Sequence, residues 1–445
     1  MINSTTLIFN DMVEQVYTAA KICVRGTILE DQDKQLKTIS NSVGCGHESL
    51  LEHTNLITIL EEEYTDDKDH TKKLTQFLET LRYLNYRVYY KEQSMVIIIS
   101  GSIRGYKHIV RNITDLTNPY LEAIKLSMYK TPKCFYKDFT NDKILEEKDF
   151  VKFEYMNDRN RVFIDENDDA DVVIGKSKSS KGYPKILYRD DILILGEEIL
   201  RLTGIDIDFE DLLDFSTITV LFKMSRTAAN QLVRHRNGIS QESQRYVSYS
   251  DTPFINPLAD LDDPKYDQAR KYMDTWAEEA VSNYSYLLRN YPNVVKKEDA
   301  RAILPSNMET RVLMTFTYKS LIQAIELRTA KAAQREIRTN FIKLEKDLKG
   351  ILFGDKDSDL DLEHYIWTLN NHLYRSNSKI DVSGLETTIG NKYNEFDELM
   401  SEDIVSEADK AAAKKEIESK LGEYPYPVEK KVSNFVKTDT EYNDI

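Results

Sequence analysis

The run Arg234-His235-Arg236, followed by Ser240-Gln241-Glu242-Ser243-Gln244-Arg245-Tyr246, places three guanidiniums, one imidazole and several short hydrogen-bonding side chains within thirteen residues. Guanidinium forks stay charged at any physiological pH and match phosphate or carboxylate oxygens bidentately, so the cluster reads as a site for an anion and a polar ring. Leu232 and Val233 precede it and the turn-prone Asn237-Gly238 follows, which puts it at the end of a packed helix rather than along a solvated face. His235, between two arginines, feels a field that disfavours its imidazolium, so a neutral ring is expected near pH 7. Neighbouring helical residues diverge by about 100°, so Arg234 and Arg236 address two ligands or two parts of one. Arg301, in Ala300-Arg301-Ala302-Ile303-Leu304-Pro305, and Arg328 are further guanidiniums beside apolar positions. On sequence alone, each suits a structural salt bridge equally well.

Gly46-His47-Glu48-Ser49-Leu50-Leu51-Glu52-His53 invites a metal reading, but its geometry opposes one. Zinc-binding histidines on a helix sit four apart, whereas His47 and His53 point about 240° from one another. An amphipathic turn with Leu50 and Leu51 in the core and His53 at a site edge is the expectation, and no metal is assigned. The three cysteines, Cys23, Cys45 and Cys134, are too few and scattered for a disulfide framework, which suggests a reducing, cytoplasmic setting. A net charge of −15 opposes a nucleic-acid partner, and no apolar run of membrane-spanning length occurs. With only 15 glycines in 445 residues there is no phosphate-cradling glycine loop and no nucleophile elbow. A bound nucleotide must be held mainly by side chains.

Four segments are expected to organise these residues. Residues 1–145 form a first unit with a strand at Met95 to Ser100. Residues 146–205, acidic at Asp165 to Asp171 and then rich in Lys, Ser and Gly, read as an insert or linker. Residues 206–350 form a second unit, in which Thr217 to Phe222 is a strand and Ser225 opens the helix leading to Arg234. A helix with one apolar stripe spans about 265 to 290, a short helix ends at Pro305, and Arg311 to Lys346 reads as a long helix or bent pair. Residues 351–445 are an acidic, Lys-rich extension, with a helix at Ala408 to Leu421. Ser102 to Asn112 parallels Met224 to His235, each after a β-branched strand, which suggests an internal duplication with one degenerate site.

Gln231-Leu232-Val233-Arg234-His235-Arg236 with Ser243-Gln244-Arg245-Tyr246-Val247 resembles the signature of the flavin-dependent thymidylate synthases (the ThyX family), Arg-His-Arg followed after seven residues by Ser. Four other segments agree in order. Gly46 to His53 is similar to the family's Gly-His-x-Ser-x-x-Glu-His, Ser225-Arg226 to its Ser-Arg, Ala300 to Pro305 to its Ala-Arg-x-x-Leu-Pro, and Leu327-Arg328 with Ala333 to Arg338 to its Leu-Arg and Ala-Gln-x-Glu-Ile-Arg. Here six residues separate Arg236 from Ser243, and Thr317-Tyr318-Lys319-Ser320-Leu321 stands where the family has Asn-x-Arg-Ser-Leu.

The resemblance implies an α+β fold, an antiparallel sheet packed by long helices, in each of two related units. It implies methylene transfer from methylenetetrahydrofolate to dUMP and reduction by FAD, itself reduced by NADPH, with no cysteine nucleophile. Gln231, Gln241, Ser243, Arg245 and Arg301 would hold dUMP, Ser243 and Arg245 near its phosphate, and Arg328 would address the pyrimidine. Arg328 and Ser243 are the catalytic candidates, although no base is visible to make Ser243 a nucleophile. Arg234, His235, Arg236, Gln323, Thr317 and Lys319 would contact FAD, and His53 would line the flavin or folate side. Family members are homotetramers, so a chain of two units would mimic two subunits and need only dimerise. Two alternatives are a flavin enzyme modifying another pyrimidine nucleotide, for instance by hydroxymethylation, and a non-catalytic assembly protein of the same fold.

Overall fold

A computed structural model describes residues 2–136 and 182–353, except 64, 66, 92, 114, 116, 260 and 262. The acidic run at 165–171 and the expected helix at 408–421 lie outside the described residues. In chain order the first sheet comprises β1 (Asn3–Leu7), β2 (Leu56–Glu63), β3 (Asn85–Lys91) and β4 (Ser94–Gly101), with helices α1 (Met12–Val24), α2 (Gln32–Gly44), α3 (Lys68–Thr80), α4 (Ile103–Asn112), α5 (Pro119–Tyr129) and α6 (Lys133–Tyr136). A 3-10 turn, Glu48–His53, precedes β2. The second sheet comprises β5 (Tyr183–Arg189), β6 (Thr217–Ser225), β7 (Gly238–Gln241) and β8 (Glu309–Thr317), with α7 (Ile192–Thr203), α8 (Phe209–Phe215), α9 (Arg226–Leu232), α10 (Asp267–Asn290), α11 (Lys297–Ala300), α12 (Tyr318–Thr329) and α13 (Arg335–Phe353).

Both sheets are antiparallel, with orders β1-β2-β4-β3 and β5-β6-β8-β7. Their registers also agree. Leu56 pairs with Gly101 as Ile218 pairs with Phe316, and Asn85 pairs with Ser100 as Gly238 pairs with Thr315. Helix caps repeat the pattern: Asp11 accepts from the Val13 and Glu14 amides to start α1, and Asp191 accepts from those of Leu193 and Ile194 to start α7. Those helices end in left-handed residues, Arg25 and Gly204. Ser102 caps α4 through the Gly105 amide, and Thr317 caps α12 through that of Ser320.

The sheets share one compact unit. Leu187, Tyr188, Leu221 and Leu313 join the apolar cluster built on α1, β2, β4 and α5. The 3-10 turn packs on β7 and β8, while α8 packs on β3 and β4. Asn10 Nδ2 donates to Asp190 Oδ1 at 2.7 Å, joining the two residues that precede the caps Asp11 and Asp191.

Several expectations are corrected. Residues 183–203, assigned above to a linker, form β5 and α7 of the second sheet. Arg311 to Thr317 is strand, not helix, because its apolar run is buried between β6 and β7. In α10 the core side chains are Ala277, Ala280, Val281 and Tyr284, whereas Tyr272 and Trp276 are 73% and 52% exposed. By strand order, β4–α4 corresponds to β8–α12 rather than to β6–α9, so the similarity of Ser102 to Asn112 with Met224 to His235 is out of register. No described helix is long and apolar enough to cross a membrane.

Candidate active site

β6 is buried along its whole length and delivers Ser225 to the start of α9. Glu336 of α13 fixes that start, accepting from the Ser225 amide and hydroxyl at 2.6 Å each. After Leu232 the helix tightens into a 3-10 turn, Val233–His235, and Arg236 takes a left-handed conformation with φ 51°. The helix is therefore broken at Arg236 rather than at the glycine after it. Gly238 serves a different need, since a Cβ there would lie 2.5 Å from the Glu52 carbonyl oxygen. Asn237, between them, donates to the His235 carbonyl and accepts from Ser320 Oγ.

This turn assembles a cationic constellation. Arg328 donates from Nε to His235 Nε2 and from Nη2 to the Gln231 carbonyl, both at 2.9 Å. Receiving that bond requires a neutral ring, and burial, then the adjacent Arg328 charge, lower the His235 pKa to about 4. The neutral state agrees with the sequence reading, but the cause is burial and Arg328, not the flanking arginines. Arg328 itself has its pKa lowered by burial and by Arg234. Among the described residues no carboxylate pairs with Arg234, Arg236 or Arg328. Three guanidiniums without counterions form a standing demand for an anion.

The remaining positions fall into two groups. Arg245 pairs with Glu298 at 2.8 Å, and Arg301 donates to the Glu298 carbonyl at 3.1 Å, so one residue holds both. Gln241 ends β7 with its Nε2 enclosed and without an acceptor, while Ser243 Oγ accepts from the Arg245 amide. No base bonds to Ser243 Oγ among the described residues. On the other side, Thr317 caps α12, Lys319 donates to Asp214 at 3.2 Å, and Gln323 is exposed one turn further along. A cleft of about 320 Å³ opens between the ends of β4 and β8, lined by Glu52, Thr54, Arg82, Asn237 and Thr317 among others.

His53 does not face that cleft. It is fully buried, its Nδ1 2.9 Å from Thr315 Oγ1 and its Nε2 2.9 Å from Ser240 Oγ, and burial lowers its pKa to about 3. It fastens the 3-10 turn to β7 and β8, leaving Glu52 and Thr54 on either side of it to line the opening. Cys23 lies against Ser240, and burial raises its thiol pKa, the opposite of nucleophile activation. Sequence reasoning missed Glu298, Glu336 and Arg25. The last donates to both oxygens of the buried Glu242. Glu298 and Arg25 lie outside any motif, while Glu336 sits in the Ala333 to Arg338 motif without a role assigned there; each is identified by what it touches.

Residues 203–352 match the family model described as thymidylate synthase complementing protein. Curated relatives named flavin-dependent thymidylate synthase include that of Geobacter sulfurreducens, 32% identical over 129 residues covering 29% of this chain and 54% of the relative. That of Mycobacteroides abscessus is 33% identical over 147 residues, 30% of this chain and 59% of the relative. That of Mycobacterium tuberculosis is 29% identical over 161 residues, 33% of this chain and 63% of the relative. The matches thus span little more than half the length of these relatives.

Proposed function

We propose that this chain, whose residues 203–352 match the thymidylate synthase complementing protein model, is a flavin-dependent thymidylate synthase that methylates dUMP with methylenetetrahydrofolate and NADPH. The observation that carries the reading is Arg328, oriented by His235 and the Gln231 carbonyl, beside Arg234, which has no carboxylate partner among the described residues. Such a fixed fork suits the carbonyl edge of a pyrimidine, and the uncompensated guanidiniums suit the phosphates of a nucleotide and a dinucleotide. The enclosed Gln241 amide supplies a donor awaiting a carbonyl acceptor. This donor-rich set fits FAD as well as dUMP. FAD, when bound, supplies the hydride that turns the transferred methylene into a methyl group. Arg234, His235, Arg236, Thr317, Lys319 and Gln323 would hold it, and Gln231, Gln241, Ser243, Arg245 and Arg301 the nucleotide. His235, neutral and committed to Arg328, orients a cation and relays no proton.

The repeated strand order and register support an internal duplication in which each half keeps what the other lost. The register sets Leu81-Arg82-Tyr83-Leu84 against Arg234-His235-Arg236-Asn237, and Glu48-Ser49-Leu50-Leu51-Glu52-His53 against Glu210-Asp211-Leu212-Leu213-Asp214-Phe215. One complete set of motifs results, drawn from both halves and joined at Gly238 and Glu52. The chain would then stand in for two subunits, carry one site and assemble as a homodimer in the cytoplasm.

Purified protein should be yellow with one flavin per chain, elute as a dimer by light scattering, and oxidise NADPH when given dUMP and methylenetetrahydrofolate, yielding dTMP by mass. Flavin-free protein with no nucleotide-dependent oxidation would sink the reading. A product heavier by a hydroxymethyl group would redirect it to another pyrimidine modification.

A further inference from the structure

Arg25 ends α1 with φ 50°, a conformation uncommon for any side-chain-bearing residue but glycine's own at the matching end of α7, Gly204. Its guanidinium is fully engaged. Nε and Nη2 donate to Glu242 Oε2 and Oε1 at 2.8 and 2.6 Å, and Nη1 donates to Thr252 Oγ1 at 2.7 Å. The Tyr249 hydroxyl adds a third bond to Glu242 at 2.5 Å, and the Arg25 guanidinium lies 5.3 Å from the centre of the Tyr249 ring. The Glu242 carboxylate is fully buried, and this fork pairs with both of its oxygens.

Glu242 stands between Gln241 and Ser243, two residues assigned above to the nucleotide. The same stretch is pinned again from the first half, since the Ser243 amide donates to the Cys23 carbonyl at 2.9 Å. β8 holds it from the other side, with the Glu242 amide donating to the Arg311 carbonyl at 2.9 Å. The end of α1 therefore fixes residues 242 and 243 through both side chain and backbone, three residues or fewer from Arg245. We infer that Arg25 is a positioning residue for nucleotide binding: its clasp on Glu242 holds the loop from Gln241 to Arg245 in its binding shape, making the first half a working part of the second half's site. This inference rests on the function proposed above.

The test uses the full chain and two variants, Arg25→Lys and Arg25→Ala, with dUMP affinity measured by calorimetry beside KM, kcat, flavin content and Tm. In Arg25→Ala, dUMP Kd and KM should rise about 10- to 30-fold while kcat stays within about 3-fold. Added guanidinium at millimolar concentration should bring KM back toward the wild-type value. Arg25→Lys keeps the charge but cannot bridge both carboxylate oxygens, so it should show an intermediate KM. Folded variants with a lowered Tm and dUMP affinity within 2-fold of wild type would overturn the clasp, as would an Arg25→Lys protein of wild-type affinity if Arg25→Ala does not fold. Wild-type protein that binds no dUMP would overturn the function reading and the clasp with it, which is distinguishable from unchanged affinity in a variant.

Discussion

The two halves differ most at one hairpin. In the first sheet β3 ends at Lys91 and β4 begins at Ser94, whereas in the second β7 ends at Gln241 and β8 begins only at Glu309. That excursion carries Ser243, Arg245 and Arg301, the residues proposed to hold the nucleotide, with Glu298 bonded to both arginines. The turns leading into β3 and β7 differ as sharply. Leu81 is buried where Arg234 is exposed, and Ile113, just past α4, is buried at the place that Arg328 takes in the last turn of α12. One half spends these positions on core packing and the other on unpaired charge. The two sheets thus share one strand order while differing in the length of this hairpin and in the polarity of matching positions.

That contrast breaks most visibly at Arg328 and Ile113. Arg328→Ala should lower kcat/KM by about 100- to 1000-fold, the range for losing one preorganised donor, with little change in Tm. Ile113→Ala should do the reverse, destabilising the fold by about 2 to 5 kcal/mol while folded protein keeps its turnover. Activity surviving Arg328→Ala would remove the functional distinction between the halves.

Gly238 and Asn85 sharpen it next. Asn85 carries a side chain that reaches the Asp214 carbonyl at 2.7 Å, whereas Gly238 has no room for even a methyl group against Glu52. Backbone must give on one side or the other, so Gly238→Ala should cost about 1 to 3 kcal/mol in urea unfolding and displace Asn237 from Ser320. Flavin affinity should fall with it. An unchanged midpoint and unchanged flavin content would show that the two halves are not held this tightly at the motif junction.

His53 and Phe215 differ in pH response. His53 is buried neutral with a pKa of about 3 in the fold against 6.5 for the free side chain, so between those values the unfolded chain binds more protons. Stability should therefore fall as pH drops from 6.5 toward 3, by on the order of 1 kcal/mol per pH unit from this residue. His53→Phe, which installs the side chain found at the matching Phe215, should flatten that slope in denaturant titrations at pH 5 and pH 7. It also removes the ring's bonds to the Thr315 and Ser240 hydroxyls, lowering stability at pH 7. A slope identical to wild type would contradict the buried neutral ring.

The local part of the candidate site was legible in residue type and spacing. Arg234 to Arg236 at a helix end, Ser225 as a cap and the strand before it follow from residue type and spacing alone. β8 was not legible, since Val312 to Phe316 runs straight into the apolar face of α12 and a short buried run has no period to separate strand from helix. β5 and α7 were hidden behind the Lys, Ser and Gly stretch before them. The burial of His53 was not legible, because a polar side chain beside a motif looks like a ligand until two internal hydroxyls are found against it. The residues around α4 resemble those around α9, whereas sheet order sets α4 against α12. Only pairing registers, which are long-range, decide that.

The register also pairs Arg104 with Lys319, and here the halves should prove nearly interchangeable. Arg104 bonds Glu52, and Lys319 bonds Asp214 at 3.2 Å, so each helix start holds a cation against a carboxylate that ends the preceding turn or helix. The Lys319 side chain is 37% exposed, a setting in which ion pairs contribute at most about 1 kcal/mol. Lys319→Arg replaces a point charge with a fork of the same sign and should change flavin Kd by less than about 3-fold, toward tighter binding if the fork also reaches a phosphate. Fluorescence titration of the stripped protein with FAD measures it. A loss of 10-fold or more would mean that the lysine, not merely a cation, is required there, and that α12 has diverged in chemistry from α4 further than its cap and register indicate.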